Sequence, residues 1–372
     1  AFINHGAFGA ALRLAQQEAE AWRRRCEQQP LLFLDRDLFS QLARVMRELA
    51  AFVGCRAQDL ALVPNATTGL LLVMRGRVGP GETLFSLDVG YGSVKKMLAV
   101  VAEQTGAQHV QHTVQLPLSS AEELVAQVAA AMPAGTKLAV FDAVTSNTAI
   151  RLPIQQLVQL CHSRGVEVLV DGAHALGMLP LDLHALAADY FVTNCHKWLC
   201  APRGSAFLHV QPRHQAHVRP LIISHGKQSP SLARPSAQAV GFVSEFIWDG
   251  CRDYAPLLAV STALRAWRQL GPEAVRSYQR QLLHQAVALL TQAWDTGTLV
   301  PLDMCGSMAL VQLPDACLAA AQSAAEHIST AAAPGATSAD GKWVQDSLHY
   351  QHHVECPIKC INGCLYARIS GA

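Results

Sequence analysis

Two short segments near the middle of the chain carry residue types that could do chemistry together. Val168-Leu169-Val170-Asp171-Gly172-Ala173-His174 reads as a buried apolar strand that ends in a carboxylate, then a glycine turn and a histidine. Tyr190-Phe191-Val192 reads as a second apolar strand, and Thr193-Asn194-Cys195-His196-Lys197-Trp198 delivers a lysine just past its end. In open α/β sheets, ligands bind at the carboxyl ends of the strands. An acid and a lysine brought there by separate strands meet the needs of pyridoxal phosphate. The carboxylate pairs with a pyridinium nitrogen, and the amine holds the aldehyde carbon covalently. A carboxylate in such a place is poorly solvated and needs a cation or donor nearby. A helix N-cap is the plainer reading of Asp171, and Lys197 argues against it.

The elements that would position these residues alternate. Residues 10–28 read as a helix halted by Pro30, and 37–53 as a second, closed by Gly54. Strands follow at 60–63, 83–87, 138–141 (ending at Asp142), 166–170, 190–193 and 205–210. Helices between them start near Thr68, run over 91–103 and 121–131, and open at Pro153 to stop at Gly165; Ser120 and Glu123 form a capping-box signature. This alternation predicts an α/β fold with a mostly parallel central sheet and helices on both faces. After Tyr254 come helical runs at 256–270 and 273–295, strands at 308–313 and 364–369, and a helix at 316–328, a pattern for a smaller α+β C-terminal domain. Residues 331–341 read as a small-residue loop without chemistry. The expected division is an N-terminal arm over 1–20, a large domain over 21–254 and a small domain over 255–372.

Composition narrows the function classes. Net charge is +1, so there is no electrostatic case for a nucleic-acid partner. Apolar residues make up 51% and charged residues only 15%, yet no unbroken apolar run reaches membrane-spanning length. A large core and a buried subunit interface account for the apolar excess. Eleven cysteines without a framework, and no secretory signal ahead of them, predict a reduced, cytoplasmic setting. The first residue is Ala1 rather than methionine, so a processed or trimmed N-terminus is an expectation, with any targeting segment lost from view.

Other candidates are weaker alone. Pro64-Asn65-Ala66-Thr67-Thr68-Gly69, between a strand and a helix, offers backbone N–H groups and hydroxyls to a phosphate, although helix capping explains it equally. No P-loop and no dinucleotide-binding glycine fingerprint is present. Tyr91, at a helix start beside the same sheet edge, could stack on a planar ring or simply fill a packing site. His174 and His196 have an ordinary reading as hydrogen-bonded buried histidines. Neither His352-His353 nor Cys356, Cys360 and Cys364 has an established ligand spacing, so no metal is expected; on one strand, positions four apart share a face and packing explains the cysteines.

Asp171-Gly172-Ala173-His174, with Asn194-Cys195-His196-Lys197-Trp198-Leu199 and Pro202-Arg203-Gly204, resembles the fold-type I, class V aminotransferase superfamily. Asn4-His5-Gly6-Ala7-Phe8-Gly9, Pro64 to Gly69, Ser224-His225-Gly226, Trp248 to Asp253 and Leu365 to Ser370 look like its isopenicillin N epimerase and cysteine-derivative C–S lyase branch. The resemblance implies a pyridoxal phosphate enzyme. Lys197 would carry the cofactor and move the substrate's Cα proton, Asp171 would hold the ring nitrogen protonated, His174 would lie near the ring oxygen, and Tyr91 would stack on the ring. Ala66, Thr67, Asn194 and His196 would contact the phosphate, and Arg368 would clamp the substrate carboxylate. It further implies a homodimer with shared active sites, in which the Gly250-Cys251 turn reaches the partner's phosphate, with Cys251 where the family usually has threonine. Relatives also continue beyond the 368–370 strand into a last helix, whereas this sequence ends at Ala372, which would bear on the small domain's stability and on activity.

The reaction implied is β-elimination from a cysteine-derived amino acid, including sulfoxides of the ergothioneine-pathway type. Epimerisation and transamination share its opening steps. A cysteine desulfurase would need a nucleophilic cysteine on a flexible loop; Cys305 is the most loop-like candidate, and a buried structural thiol is its better reading. A non-catalytic paralogue that keeps the fold would tolerate Cys251 but has no use for Asp171, Lys197 and Arg368 together.

Overall fold

The computed structural model of the chain describes residues 3–227, 241–326 and 335–371. Seven strands form the main sheet: β1 (Leu60–Val63), β2 (Thr83–Leu87), β3 (Gln108–His112), β4 (Thr136–Asp142), β5 (Glu167–Asp171), β6 (Tyr190–Asn194) and β7 (Ala206–Val210). Their order is β1-β7-β6-β5-β4-β2-β3, and only β7 runs against the rest. Helices cover both faces, so the central strands are apolar throughout. Val140 and Leu169 join the core on one face, Phe141 and Val170 the core on the other. Burying each such side chain contributes roughly 2 kcal/mol, which anchors strands whose last residues are acids. β4 and β5 lie in register with Asp142 beside Asp171, and β6 ends at Asn194, so three polar residues finish adjacent strands at one sheet edge.

A second sheet, ordered β8-β10-β9 and antiparallel, is built from β8 (Met308–Gln312), β9 (Ile358–Ile361) and β10 (Cys364–Ser370). Among the described residues no helix is long and apolar enough to cross a membrane.

Several expectations are corrected. The first long helix begins at Arg13, because Leu12 donates its N–H to the Cys200 carbonyl instead. The helix expected at 256–270 is broken at Ala259 into Ala255–Leu258 and Val260–Leu270. Ser120 caps its helix by accepting from the Glu123 N–H, but the Glu123 carboxylate takes the N–H of Ser119, so the reciprocal half of the box is displaced by one residue. Of the loop expected over 331–341, residues 331–334 lie outside the described residues, and Ser338–His352 is a helix started by a full capping box of Thr337 and Asp340. The helix expected over 316–328 is described as Asp315–Glu326, and residues 327–328 lie outside the described residues. Cys360 and Cys364 do not share one strand face. The chain reverses at Asn362-Gly363, Cys360 pairs with Leu365 and Ile361 with Cys364, so the two thiols project from opposite faces.

At the sheet edge away from Lys197, buried Asp189 accepts from His162 (2.9 Å), His214 (2.8 Å), Arg213 and the Val168 N–H. Next to it Glu167 accepts from Arg77, from Lys137 (3.1 Å) and from the Tyr190 hydroxyl (2.8 Å). Burial works against the charge on both acids, and these donors outweigh it, holding Asp189 below the usual carboxylate range and Glu167 down to about 2. A carboxylate whose pKa falls on folding stabilises the fold above its unfolded pKa and loses that contribution as pH drops through the folded one. Asp189→Asn is therefore expected to cost about 3 kcal/mol or more at pH 7. The gap to wild type should narrow as pH falls below about 4. Denaturant unfolding at several pH values checks this, and a gap that stays constant with pH would remove the charge from the explanation.

Candidate active site

Lys197 lies just beyond β6 in a cavity of about 160 Å³ that is also lined by Ala66, Thr67, Tyr91, Asp142, Ser146, Asp171, His174, Asn194 and His196. Nearly all the residues singled out for chemistry thus converge on one space at the carboxyl edge of the sheet, where parallel strands direct their ends.

Asp171 is 4% exposed, and its Oδ1 accepts the Ala173 N–H at 2.9 Å. The turn it starts is possible because residue 172 is glycine: a Cβ there would lie 2.4 Å from the Phe191 ring. Asp142 sits beside it. Burial first, then the charge of Asp171, hold the Asp142 proton well above the ordinary range, and burial also raises Asp171. Two buried acids side by side call for a cation. Lys197 is one, but burial pushes its pKa down to about 8.

The hydrogen bonds around Lys197 also work against its charge. Trp198 Nε1–H donates to His174 Nδ1 at 3.2 Å, and His174 Nε2 lies 3.1 Å from Lys197 Nζ. His174 is buried, its pKa well below the usual value from burial and then from the Lys197 charge, so the ring is neutral. With Nδ1 accepting, the neutral ring carries its proton on Nε2, which donates to Nζ once the amine has lost its charge. An ammonium has no lone pair to accept with; the uncharged amine does. Trp198 thereby selects the tautomer that favours a nucleophilic lysine. In Trp198→Phe, His174 is free to move its proton to Nδ1 and accept from an ammonium. The pKa of Lys197 is expected to rise by roughly one unit, the worth of one hydrogen bond. The pH dependence of amine reactivity toward an aldehyde probe measures it; an unmoved midpoint would leave Trp198 with packing alone.

The phosphate-sized end of the cavity is the start of helix Ala66–Arg77. Asn65 caps it, accepting from Thr68 N, and Asn194 Oδ1 accepts the Ala66 N–H at 2.9 Å. Thr67 keeps its N–H and hydroxyl without a partner among the described residues. Helix dipole and free donors make this a place for an anion. His196 donates from Nδ1 to the Ser205 carbonyl at 3.0 Å, which leaves Nε2 as an acceptor until the ring takes a second proton. Tyr91 is 46% exposed at the mouth, with its backbone N–H toward the Asp142 carboxylate.

Arg368, on β10, is 4% exposed and one layer behind the wall: its guanidinium donates to the Ser146 carbonyl and to Asn4 Oδ1 (2.9 Å). The N-terminal segment fastens over the lysine. His5 Nε2 lies 3.1 Å from the Lys197 carbonyl, and a Cβ at Gly9 would come 2.1 Å from the His196 carbonyl, at a positive φ that also favours glycine. Cys251 is not in this cavity. It is exposed in a separate, larger groove of about 740 Å³, with Pro30, Leu31, Phe39, His225 and Trp248. Asp142, Trp198, Ser146 and Asn4 had no assigned role in the sequence reading. The signal for Asp142 was available, an acid that ends an apolar strand just as Asp171 does. No group of three or more His, Cys, Asp or Glu suited to a metal occurs among the described residues.

The donor set fits pyridoxal phosphate: an anion-binding helix start, a buried acid pair that a ring cation would neutralise, and a lysine whose pKa is lowered to about 8. A parallel sheet with an acid and a lysine at its carboxyl edge defines a fold-type I architecture. The class-V aminotransferase family matches residues 34–313, and the chain belongs to it. The chain is 32% identical over 323 residues to isopenicillin N epimerase of Streptomyces clavuligerus, covering 84% of this chain and 80% of that one. It is 29% identical over 332 residues to putative L-cysteine desulfhydrase 1 of Oryza sativa subsp. japonica, covering 84% of this chain and 67% of the relative. In fold it is similar to the cystine C–S lyase C-DES in complex with cysteine persulfide, with a TM-score of 0.80 at 18% identity over 100% of this chain and 93% of that one.

Proposed function

We propose that the chain is a pyridoxal phosphate-dependent lyase that cleaves the C–S bond of a cysteine-derived amino acid. The observation that carries this reading is Lys197, its pKa lowered to about 8 by burial, beside His174 and with Asp171 in the same cavity; the desulfhydrase relative points to sulfur as the leaving group. When bound, the cofactor supplies an electron sink for the charge left at the substrate Cα. Asp171 would hold the proton on its pyridine nitrogen, Thr67, Ala66, His196 and Asn194 would hold its phosphate, and Tyr91 would stack on its ring. Lys197 takes the Cα proton. The Cβ–S bond then breaks with its electron pair on sulfur, which picks up a proton, and water hydrolyses the three-carbon fragment to pyruvate and ammonia. Arg368 reaches the substrate carboxylate by exchanging its hold on the Ser146 carbonyl.

The epimerase relative favours a second reading, because the same Lys197 proton transfer could return a proton to the opposite face. Desulfuration is disfavoured: Cys305 is buried, and burial pushes its thiol up to about 12. We also propose a homodimer, supported by Leu31, Leu32 and Phe39 exposed near the Cys251 groove. A reducing, cytoplasmic setting suits eleven free cysteines. The division at residues 20 and 254 remains the proposed domain scheme. Product analysis of holoenzyme with cysteine, its conjugates and sulfoxides, and isopenicillin N tests the reading. Pyruvate with ammonia is expected, whereas alanine, an epimer or an oxo acid would replace it with the corresponding rival.

A further inference from the structure

A second cation lies on the face of the small sheet that carries Arg368. Along β10, Leu365, Ala367 and Ile369 sit in the core, and a Cβ on Gly341 of the helix Ser338–His352 would be 3.5 Å from Leu365. The alternate residues face the other way, toward the large sheet and the N-terminal segment. Arg368 bonds Ser146 and Asn4, and Ser370 Oγ donates to the Ile3 carbonyl. Lys359 pairs with Tyr366 in the β9–β10 ladder and so projects from this same face, one diagonal step from Arg368. At the tip of the hairpin, Asn362 donates to the Leu116 carbonyl at 3.3 Å, which sets Lys359 between Arg368 and the segment following β3.

Lys359 is half-buried, and among the described residues its side chain has neither a hydrogen bond nor a carboxylate partner. Burial first and the Arg368 charge second lower its pKa, and no acid is among the groups acting on it. Holding an unpaired ammonium beside a buried guanidinium is costly on both counts, desolvation and repulsion. An anion lying between the two would relieve both.

We infer that Lys359 and Arg368 together receive a substrate with two anionic groups, the α-carboxylate on Arg368 and an acidic group of the sulfur substituent on Lys359. This rests on the lyase reading above. The substrate class is then cysteine conjugates whose leaving thiol bears a carboxylate or a group of like charge.

S-carboxymethylcysteine and S-carbamoylmethylcysteine are nearly the same shape and differ by one charge, so their ratio of kcat/KM for pyruvate release isolates Lys359. The holoenzyme is expected to favour the acid roughly tenfold, the discrimination of one partly buried charge pair, and to lose that preference as salt is raised. In Lys359→Met the ratio should fall to about one through KM, and Lys359→Arg should retain it. A wild-type ratio near one, or the same ratio in Lys359→Met, overturns the assignment, as it would if Lys359 faces an acid of a second subunit instead. Pyruvate from cysteine or the amide without a preference for the acid sinks this inference alone. No pyruvate from any of the three sinks the lyase reading with it.

Discussion

Lys197→Ala should lower turnover by at least ~10³-fold, because it removes both the covalent hold on the cofactor and the base for the Cα proton, and general base catalysis alone contributes about 10²–10⁴-fold. The fold is expected to survive, since the amine's hydrogen bond is to His174 and the core residues around it, Trp198 and Leu199, are untouched. Cofactor should still enter, held at the start of helix Ala66–Arg77, but with weaker affinity and in free exchange. In wild type, borohydride reduction followed by peptide mapping should fix the pyridoxyl group on Lys197. With its pKa near 8, the rate of cofactor capture by the apo protein should climb with pH until the amine is fully uncharged, levelling off above that value. Label on another lysine, or turnover within tenfold of wild type, would take Lys197 out of the mechanism.

What could be read in the sequence divides along physical lines. Asp171 and Lys197 stood out because a charge at the end of an apolar strand is expensive, and the structure brings both into one cavity. Asp142 is placed just as expensively but had no motif around it. The family resemblance gives Asn194 to the phosphate; its side-chain Oδ1 also accepts the Ala66 N–H, a contact 128 positions away that no local pattern encodes. β3 was missed because Gln108-His109-Val110-Gln111-His112 is an edge strand with little apolar signal, and its pairing with β2 is what makes it a strand. The helix Ser338–His352 was hidden by Gly341, a loop-like residue near its start, although the Thr337–Asp340 capping box begins a helix there. Arg368 was found, whereas its dependence on Asn4 and Ser146 is tertiary. Cys251 is neither supported nor replaced by a single chain, since its groove holds none of the residues around Lys197.

Asp171 and Asp142 end neighbouring strands in register, and together they make the sharpest test of the site. Both are raised by burial, but Asp142 further, because it also feels the charge of Asp171. If the pair carries its first negative charge on Asp171, Asp142 stays protonated beside it. A pyridinium entering the cavity would then meet its one carboxylate at Asp171. Asp171→Ala should lower kcat by roughly 10²–10³-fold, the factor expected when a buried charge loses its partner at a cost of about 3–4 kcal/mol. Cofactor should remain bound through Lys197 and the phosphate end. Asp142→Asn swaps a neutral acid for a neutral amide of the same size, so its kcat should stay within about tenfold of wild type, the cost of a single altered hydrogen bond. The loss in Asp171→Ala should also be smaller at higher pH, because Asp142, freed from its like-charged neighbour, then titrates lower and can supply the missing carboxylate. Steady-state kinetics of both variants from about pH 6 to about pH 9, spanning the lowered Lys197 pKa of about 8, decides the matter. If Asp142→Asn proves the more damaging change, the charge resides on Asp142 and the two strand ends exchange roles.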